Sequence, residues 1–165
     1  MKAKHLTSLA AISLLSLGTA IALVKPESIQ QSLSEAIAGE AAYAQSSSVG
    51  GPLVKKLHGK PVVVDIYASW CPACQNIAPT LSQLKRDYAG KVHFVVLDVS
   101  DRSSTARSEA IAKELGLSNF FAANKTQTGA LTIVEPSTGK ILSQHRNNAN
   151  KSTYTRVLDA ALAKK

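Results

Sequence analysis

The stretch VVVDIYASWCPACQNIAP, residues 62–79, contains both cysteines of this 165-residue chain. Its first part is apolar and β-branched, which predicts a buried strand, and the apolar spacing after Pro72 predicts a helix. Cys71 and Cys74 therefore stand at a junction between a strand and a helix. A pair with this spacing and position indicates either thiol–disulfide exchange or half of a metal site.

The patterns on both sides extend this unit into an alternating order of helices and strands. Helices are predicted over residues 52–58, 72–88, 102–115 and 151–163, and strands over residues 61–68, 91–99, 130–135 and 140–145. A turn over residues 136–139 joins the last two strands as a hairpin. Residues 118–129 are interpreted as an insertion. This order predicts an α/β domain.

The first residues of the chain predict export from the cytoplasm. Lys2 and Lys4 precede an uncharged run of 19 residues, 6–24, which is long enough to cross a bilayer as a helix. Two interpretations are open: the chain is cleaved after Ala44, or the uncharged run is retained as a membrane anchor. The anchor is favoured, because Ala44 lies far beyond the end of the run. In both, the positive flank stays in the cytoplasm, so the domain is expected outside it.

The chain is accordingly divided into a signal peptide or membrane anchor (residues 1–25), a linker (26–50) and a globular domain (51–165). Residues 1–45 carry three Lys and three Glu, so residues 46–165 carry the whole net charge of +8. These basic residues are scattered and form no run typical of nucleic-acid binding. We therefore interpret them as a soluble basic surface and expect no nucleic-acid partner.

The two cysteines are predicted to have different roles. Cys71 precedes the predicted helix, whose N-terminus offers unpaired N–H groups and a partial positive charge that favour a thiolate. Cys74 lies one turn inside the helix and is expected to be the more buried of the two. We therefore predict that Cys71 attacks a substrate disulfide and that Cys74 resolves the mixed disulfide.

The segment VDIYASWCPACQNIAP resembles the active-site segment of the thioredoxin family, and the predicted element order matches the thioredoxin fold, a mixed four-stranded sheet flanked by helices. The resemblance covers residues 52–165. It implies that Asp65, buried on the strand, moves protons for the second cysteine. It also implies supporting positions for Trp70, for Pro72 within the pair, and for Pro79, which would kink the helix.

An independent argument from the residues agrees on Asp65, because a charge in an apolar strand costs free energy unless it has a function or a partner. The alternative is an aspartate at the strand end that faces water. Pro72-Ala73 differs from the family's commonest Gly-Pro, so a different redox potential is expected.

Within the family, the chain looks most similar to exported, membrane-anchored thioredoxin-like proteins of bacteria, including cyanobacteria. Such proteins reduce disulfides outside the cytoplasm, often for cytochrome c maturation. The resemblance implies protein disulfide or dithiol partners, a membrane electron donor, no cofactor, and a location on the periplasmic or thylakoid-lumen side.

The sequence departs from the family at one position. The family has a cis-proline before the third strand, which fixes the backbone edge that pairs with substrate and shields the cysteines from metals. Ala130 occupies that position here. A cis bond before a non-proline residue costs ~2.5–4 kcal/mol, so a trans loop of different shape is expected. We therefore predict a selective rather than a general disulfide reductase.

The other function classes remain as alternatives. A zinc site needs two further ligands, and His58, His93 and His145 form no paired motif, so no metal site is predicted. The second interpretation is a thioredoxin-fold binding or assembly module with a dormant or metal-binding cysteine pair.

Overall fold

A mixed four-stranded sheet forms the centre of the domain in the computed structural model, which describes residues 47–164. Its strands are β1 (Val62–Tyr67), β2 (His93–Asp98), β3 (Ala130–Glu135) and β4 (Lys140–Arg146). They lie in the order β2-β1-β3-β4. β1 is parallel to β2, whereas β3 is antiparallel to both β1 and β4. The predicted α/β fold with a mixed sheet is confirmed.

Helices flank this sheet. Within residues 47–164 they are α1 (Pro72–Asp87), α2 (Arg102–Leu115), α3 (Ser118–Asn124) and α4 (Lys151–Leu162). The bounds of α2 are those predicted, and α1 and α4 each end one residue earlier. One prediction is wrong: the helix predicted over residues 52–58 is only a short 3-10 helix, Lys55–Leu57. The segment interpreted as an insertion, residues 118–129, contains α3.

The short helix α3 is explained by its aromatic pair. Phe120 and Phe121 are 4% and 2% exposed and lie in the same core cluster as Leu115 and Leu117. A helix of this length gains its stability from such packing rather than from intrinsic propensity. The sequence pattern favours core packing for these two phenylalanines, and their burial confirms it.

Strand β1 is buried on both faces, so it separates two apolar layers. Val62, Val64 and Ile66 pack with residues of α2 and α3, while Val63 packs with residues of α1 and α4. Because side chains alternate along a strand, Asp65 belongs to the same face as Val63. The strand thus carries one carboxyl group into an otherwise apolar layer.

Residues 47–49, which the sequence pattern assigns to the linker, pair with the start of β4. The N–H of Val49 donates to Gly139 O at 2.8 Å, and the N–H of Ile141 donates to Ser47 O at 2.9 Å. Val49 is 2% exposed and belongs to the core. These residues join the domain because they satisfy part of the outer edge of β4 and bury an apolar side chain.

The remaining predictions for the N-terminal part of the chain, residues 1–46, lie outside the described residues. They include the apolar run, the cleavage site ending at Ala44 and most of the linker. Among residues 47–164, no helix is both long enough and apolar enough to cross a membrane.

Candidate active site

Cys71 is the N-cap residue of α1. The chain leaves β1 at Tyr67 and turns so that the N–H of Cys71 donates to Ala68 O at 3.2 Å. The Sγ of Cys71 accepts a hydrogen bond from the backbone N–H of Cys74 at 3.1 Å. Pro72 occupies the first helical position, where a missing N–H costs nothing and the fixed φ suits a helix. The sequence thus starts the helix directly after the first thiol.

The two thiols have opposite tendencies to ionise. Burial by itself raises the pKa of Cys71, but hydrogen bonds from the Cys74 thiol, the Thr128 side chain and the amides of Cys74 and Ala73 lower that pKa below its usual value. Burial raises the pKa of Cys74 to about 12, reinforced by its hydrogen bond to Cys71 and by the negative charges of Cys71 and Asp65. Each hydrogen bond donated to a thiolate favours the charged form, which explains the direction at Cys71.

Asp65 lies in the interior of β1 and is 4% exposed, which excludes the alternative of a water-facing aspartate at the strand end. Its Oδ1 has no hydrogen-bond partner among the described residues. Burial raises the pKa of this carboxyl to about 6, against the opposing charge of Lys85. Burial raises the pKa of Tyr154 to about 12, and the negative charge of Asp65 adds to that shift. The same charge is the smallest of the contributions that raise the pKa of Cys74.

Solvent access to the cysteines differs from the expectation. Cys74 was expected to be the more buried, but Cys71 is 2% exposed and Cys74 is 4% exposed, so both are covered. Ala68 and partly buried neighbours including Tyr67 and Ala73 pack around them. Neither thiol is in a disulfide. Attack on a protein substrate therefore requires this cover to move or the substrate to displace it.

The loop before β3 lies directly against the cysteine pair. Gly129 has φ +79, and a Cβ added to it would lie 2.6 Å from the Cβ of Ala73 and 3.2 Å from the backbone N of Cys74. Thr128 is 5% exposed and reaches Cys71 with its side chain. Sequence reasoning missed both residues. The one signal for them is a glycine immediately before a strand, which is typical of a close backbone approach.

The main-chain groups of this loop are bonded within the domain. The N–H of Gly129 donates to Ile66 O at 2.8 Å, and its carbonyl accepts from the N–H of Asn147 at 2.9 Å. The Thr128 carbonyl accepts from Arg146 Nε at 3.0 Å.

Ala130, at the family's proline position, begins β3 and is 1% exposed. Its N–H donates to Gln127 O at 3.2 Å, and no peptide bond in residues 47–164 is cis. A trans loop is therefore present, as expected.

Trp70 is 62% exposed beside the first cysteine, and its Nε1–H donates to Ser100 O at 2.9 Å. The N–H of Ser69 donates to the Ser100 hydroxyl at 2.7 Å. These bonds tie the segment before Cys71 to the residues that follow β2, and they leave the indole ring available as an apolar surface. Pro79 lies within α1, on its exposed side, where it cannot donate a backbone hydrogen bond.

In the described part of the chain, no group of three or more His, Cys, Asp or Glu side chains is placed to hold a metal ion. His58 Nε2 is bonded to Leu53 O at 2.8 Å, and the ring of His145 packs edge-on against Tyr154 at 5.8 Å. These two histidines are therefore engaged away from the cysteine pair.

A mixed sheet in the order β2-β1-β3-β4, with a Cys-x-x-Cys pair at the start of the helix after its central strand, defines a thioredoxin-fold dithiol protein. Residues 52–129 match the family model described as thioredoxin. The matched segment includes Asp65, Cys71 and Cys74, and it ends one residue before Ala130. Residues 52–129 therefore form a thioredoxin domain.

Three relatives show what this chain is similar to. It is 45% identical over 51 residues to the thiol:disulfide interchange protein TxlA homolog of Synechocystis, covering 30% of this chain and 28% of that protein. It is 50% identical over 46 residues to thioredoxin C-2 of Corynebacterium nephridii, covering 28% and 43%. It is 43% identical over 44 residues to the chloroplastic thioredoxin-like protein HCF164 of Arabidopsis thaliana, covering 27% and 17%. The matched part spans less than half the length of each relative.

Proposed function

We propose that this chain is a thiol–disulfide oxidoreductase in which Cys71 is the nucleophile and Cys74 the resolving thiol. The observation that carries the proposal is the hydrogen bond from Cys74 N–H to the Cys71 Sγ at 3.1 Å, at the N-terminus of α1. Burial raises the pKa of Cys71, but this hydrogen bond is one of several that together lower it below its usual value. Burial raises the pKa of Cys74 to about 12. Exchange needs this asymmetry, because one thiol must attack first and the other must wait.

The proposed reaction has two displacement steps. The Cys71 thiolate attacks one sulfur of a substrate disulfide, forms a mixed disulfide and releases the other substrate sulfur as a thiolate. Cys74 then gives its proton to the carboxylate of Asp65, which is ionised at neutral pH because its pKa is about 6. The Cys74 thiolate attacks the Sγ of Cys71 and releases the second substrate sulfur as a thiolate, which takes a proton from solvent. The substrate gains two electrons, and the chain is left with a disulfide that a membrane dithiol donor would reduce.

The closed loop supports a selective rather than a general reductase. Both main-chain groups of Gly129 and the carbonyl of Thr128 are already bonded within the domain. A docked peptide therefore finds few free main-chain groups at the edge where the family pairs with substrate. Both thiols are also covered, at 2% and 4% exposure. A dedicated partner that displaces this cover is expected to react faster than an arbitrary disulfide.

We further propose that the domain works outside the cytoplasm, on the periplasmic or thylakoid-lumen side. Support comes from Lys2 and Lys4 ahead of the uncharged run at residues 6–24. It also comes from the similarity to proteins named for thiol:disulfide interchange and for a chloroplast location. A membrane anchor is favoured over a secreted form because the run is long and far from Ala44.

Trapping a partner tests the exchange function. Cys74→Ser in the full chain, expressed in cells, should accumulate a mixed disulfide through Cys71, visible as a reducible higher-mass band. The Cys71→Ser, Cys74→Ser double variant is the matched control and should show no band. The wild-type pair should titrate between about −300 and −120 mV, the range of known exchange proteins. No trapped species together with no transition in that range would reject the proposal.

A second candidate, a binding or assembly module with a dormant pair, is favoured by the burial of both thiols. It predicts that native protein resists alkylation at Cys71 until it unfolds. Location is tested separately by a reporter fused after Lys165 that is active only in the cytoplasm. That fusion should be inactive, and carbonate-resistant membrane association would distinguish an anchored chain from a product that starts near Gln45.

A further inference from the structure

A groove of about 890 Å³ lies at the end of the sheet opposite to the cysteine pair. Lys60 and Pro61 line it and directly precede β1, whereas Cys71 follows the other end of that strand. A strand of six residues spans roughly 20 Å. A molecule bound in this groove would therefore leave the thiols free to react.

The floor of the groove is apolar. Leu142 of β4 and Val157 of α4 are only partly covered by the core cluster beneath them. Ala160 and Ala161 continue this strip along α4, and Pro136 of the β3–β4 turn closes one side. The small side chains on α4 leave the space that makes the surface concave.

The rim of the groove is basic. Lys60, Lys140, Arg156 and Lys164 surround the apolar floor, and none of them forms a salt bridge with an acidic side chain among residues 47–164. The one carboxylate in the lining, Glu135, is engaged in hydrogen bonds within the β3–β4 turn. It accepts hydrogen bonds from the amides and hydroxyls of Ser137 and Thr138, at 2.6–3.0 Å. Four cations are thus left without an acidic partner in this part of the chain.

We propose that this groove binds an acidic, amphipathic segment of a partner protein. Apolar side chains of the segment would cover Leu142, Val157 and the alanines, while its carboxylates would meet the cations of the rim. An amphipathic helix laid in an apolar groove is a common mode of peptide recognition. Charge complementarity of this kind raises the association rate and specificity and makes binding sensitive to salt.

The shape and chemistry of the groove favour this occupant over others. A bilayer surface cannot follow a concave floor, and single-stranded nucleic acid is usually held by stacking on aromatic side chains, which the lining lacks. A small anion would find cations only at the exposed rim, with no buried donor to hold it. The site is separate from thiol exchange, so its test does not depend on the function proposed for the cysteines.

The test uses the full chain in non-ionic detergent and a fluorescent synthetic peptide of about 14 residues, with Leu at helical spacing and Glu and Ala elsewhere. Fluorescence anisotropy should show saturable binding that weakens as salt rises. A scrambled peptide of the same composition and a version with Lys in place of Glu should bind at least about tenfold more weakly.

Paired variants locate the binding site. Lys140→Glu with Arg156→Glu should weaken peptide binding at least about tenfold. Lys91→Glu with Lys113→Glu makes the same change in net charge at exposed positions outside the groove, and it should change binding by less than about twofold. Ala160→Trp, which fills the groove from an exposed position, should also abolish binding. Thiol exchange with a small disulfide should be unchanged in all three variants.

Either of two outcomes overturns the proposal. Equal losses in the two double variants would mean that only long-range charge attracts the peptide. Binding to anionic phosphatidylglycerol vesicles that Lys140→Glu with Arg156→Glu abolishes, without saturable peptide binding, would assign the surface to a membrane instead.

Discussion

The Sγ of Cys71 and the backbone N–H of Cys74 are joined by a hydrogen bond of 3.1 Å at the start of α1. The first thiol thereby takes the N-cap position that Ser, Thr, Asp or Asn usually fills, and it accepts one of the helix's unpaired N–H groups. The bond stabilises the helix start and the thiolate together, because the charged sulfur is the stronger acceptor. Removing a proton from Cys71 is therefore coupled to the backbone of the helix that carries Cys74.

Thr128 is predicted to stabilise the Cys71 thiolate through a hydrogen bond from its side chain. Thr128→Val keeps the size of the side chain but removes a donor that lowers the pKa of Cys71, so that pKa should rise. Alkylation of reduced protein at neutral pH should slow by about 10- to 100-fold, since a hydrogen bond to a charged group contributes roughly 1.5–3 kcal/mol and about 1.4 kcal/mol corresponds to a factor of ten. The thiolate ultraviolet absorbance followed against pH checks the cause.

Thr128→Ser is the matched control and should retain near wild-type reactivity, because it keeps the hydroxyl. Labelling in every variant should occur at Cys71 before Cys74, whose pKa is raised to about 12. Preferential labelling of Cys74 would contradict the assignment of the nucleophile.

Asp65→Asn should separate the proton-transfer role from stability. In the wild type, resolution of a mixed disulfide should slow as the pH falls through about 6, where Asp65 becomes protonated and can no longer accept the Cys74 proton. The variant should resolve slowly at every pH and lose this inflection. Rapid-quench measurement of the mixed disulfide checks both statements, and an unchanged pH profile in the variant would remove Asp65 from the mechanism.

The same substitution is predicted to stabilise the fold at neutral pH. The folded-state pKa of Asp65 is raised from 3.8 to about 6, so the folded chain binds this proton more tightly than the unfolded chain does. Stability from this group is present below pH 3.8 and is lost as the pH rises through about 6. Asp65→Asn should therefore raise the free energy of unfolding by up to about 3 kcal/mol at pH 7. The gain should vanish at pH below 3.8, as measured by urea unfolding.

Gly129→Ala tests the contact between the loop and the cysteine turn. Gly129 has φ +79, and an added Cβ would lie 2.6 Å from the Cβ of Ala73. The variant is expected to lose about 2–4 kcal/mol, from the left-handed backbone and the collision together. Gly90→Ala, at φ +72 with nothing within 4 Å, carries only the backbone cost of about 1–2 kcal/mol. Equal losses in the two variants would show that the loop does not press on Ala73.

Opening the loop should broaden the range of substrates. Arg146→Gln removes the donor to the Thr128 carbonyl, and Ala130→Pro removes the N–H that bonds to Gln127 O. Each substitution frees a main-chain group at the edge where substrate is expected to pair. The rate of insulin reduction should therefore rise by about 3- to 10-fold, which is the gain expected from one additional hydrogen bond. Arg107→Gln, at an exposed position on α2, is the control and should leave the rate unchanged. Insulin turnover that stays slow in both loop variants would show that the edge does not limit selectivity.

Local patterns in the sequence are sufficient to predict β1, α1 and the position of the cysteine pair at their junction. The β-branched run before the cysteines predicts β1, and the apolar spacing after Pro72 predicts α1. Together they place Cys71 at a helix N-terminus without knowledge of the rest of the chain. Asp65 also stands out, because a carboxyl group in an apolar run needs a function or a partner. These features depend on neighbours within a few residues, which is why they can be inferred from the sequence.

Only the tertiary structure decided what covers that site. Gly129 meets Ala73 across 56 positions of sequence, and Thr128 reaches Cys71 because β3 pairs antiparallel with β1. The same holds for Val49, whose serine-rich surroundings suggest a linker until its N–H pairs with Gly139. No local period encodes such contacts, because they form between segments whose approach is fixed by the register of the sheet and the packing of the core. The sequence by itself therefore determined a reactive cysteine pair at a helix start, and the long-range packing decided that both thiols are covered.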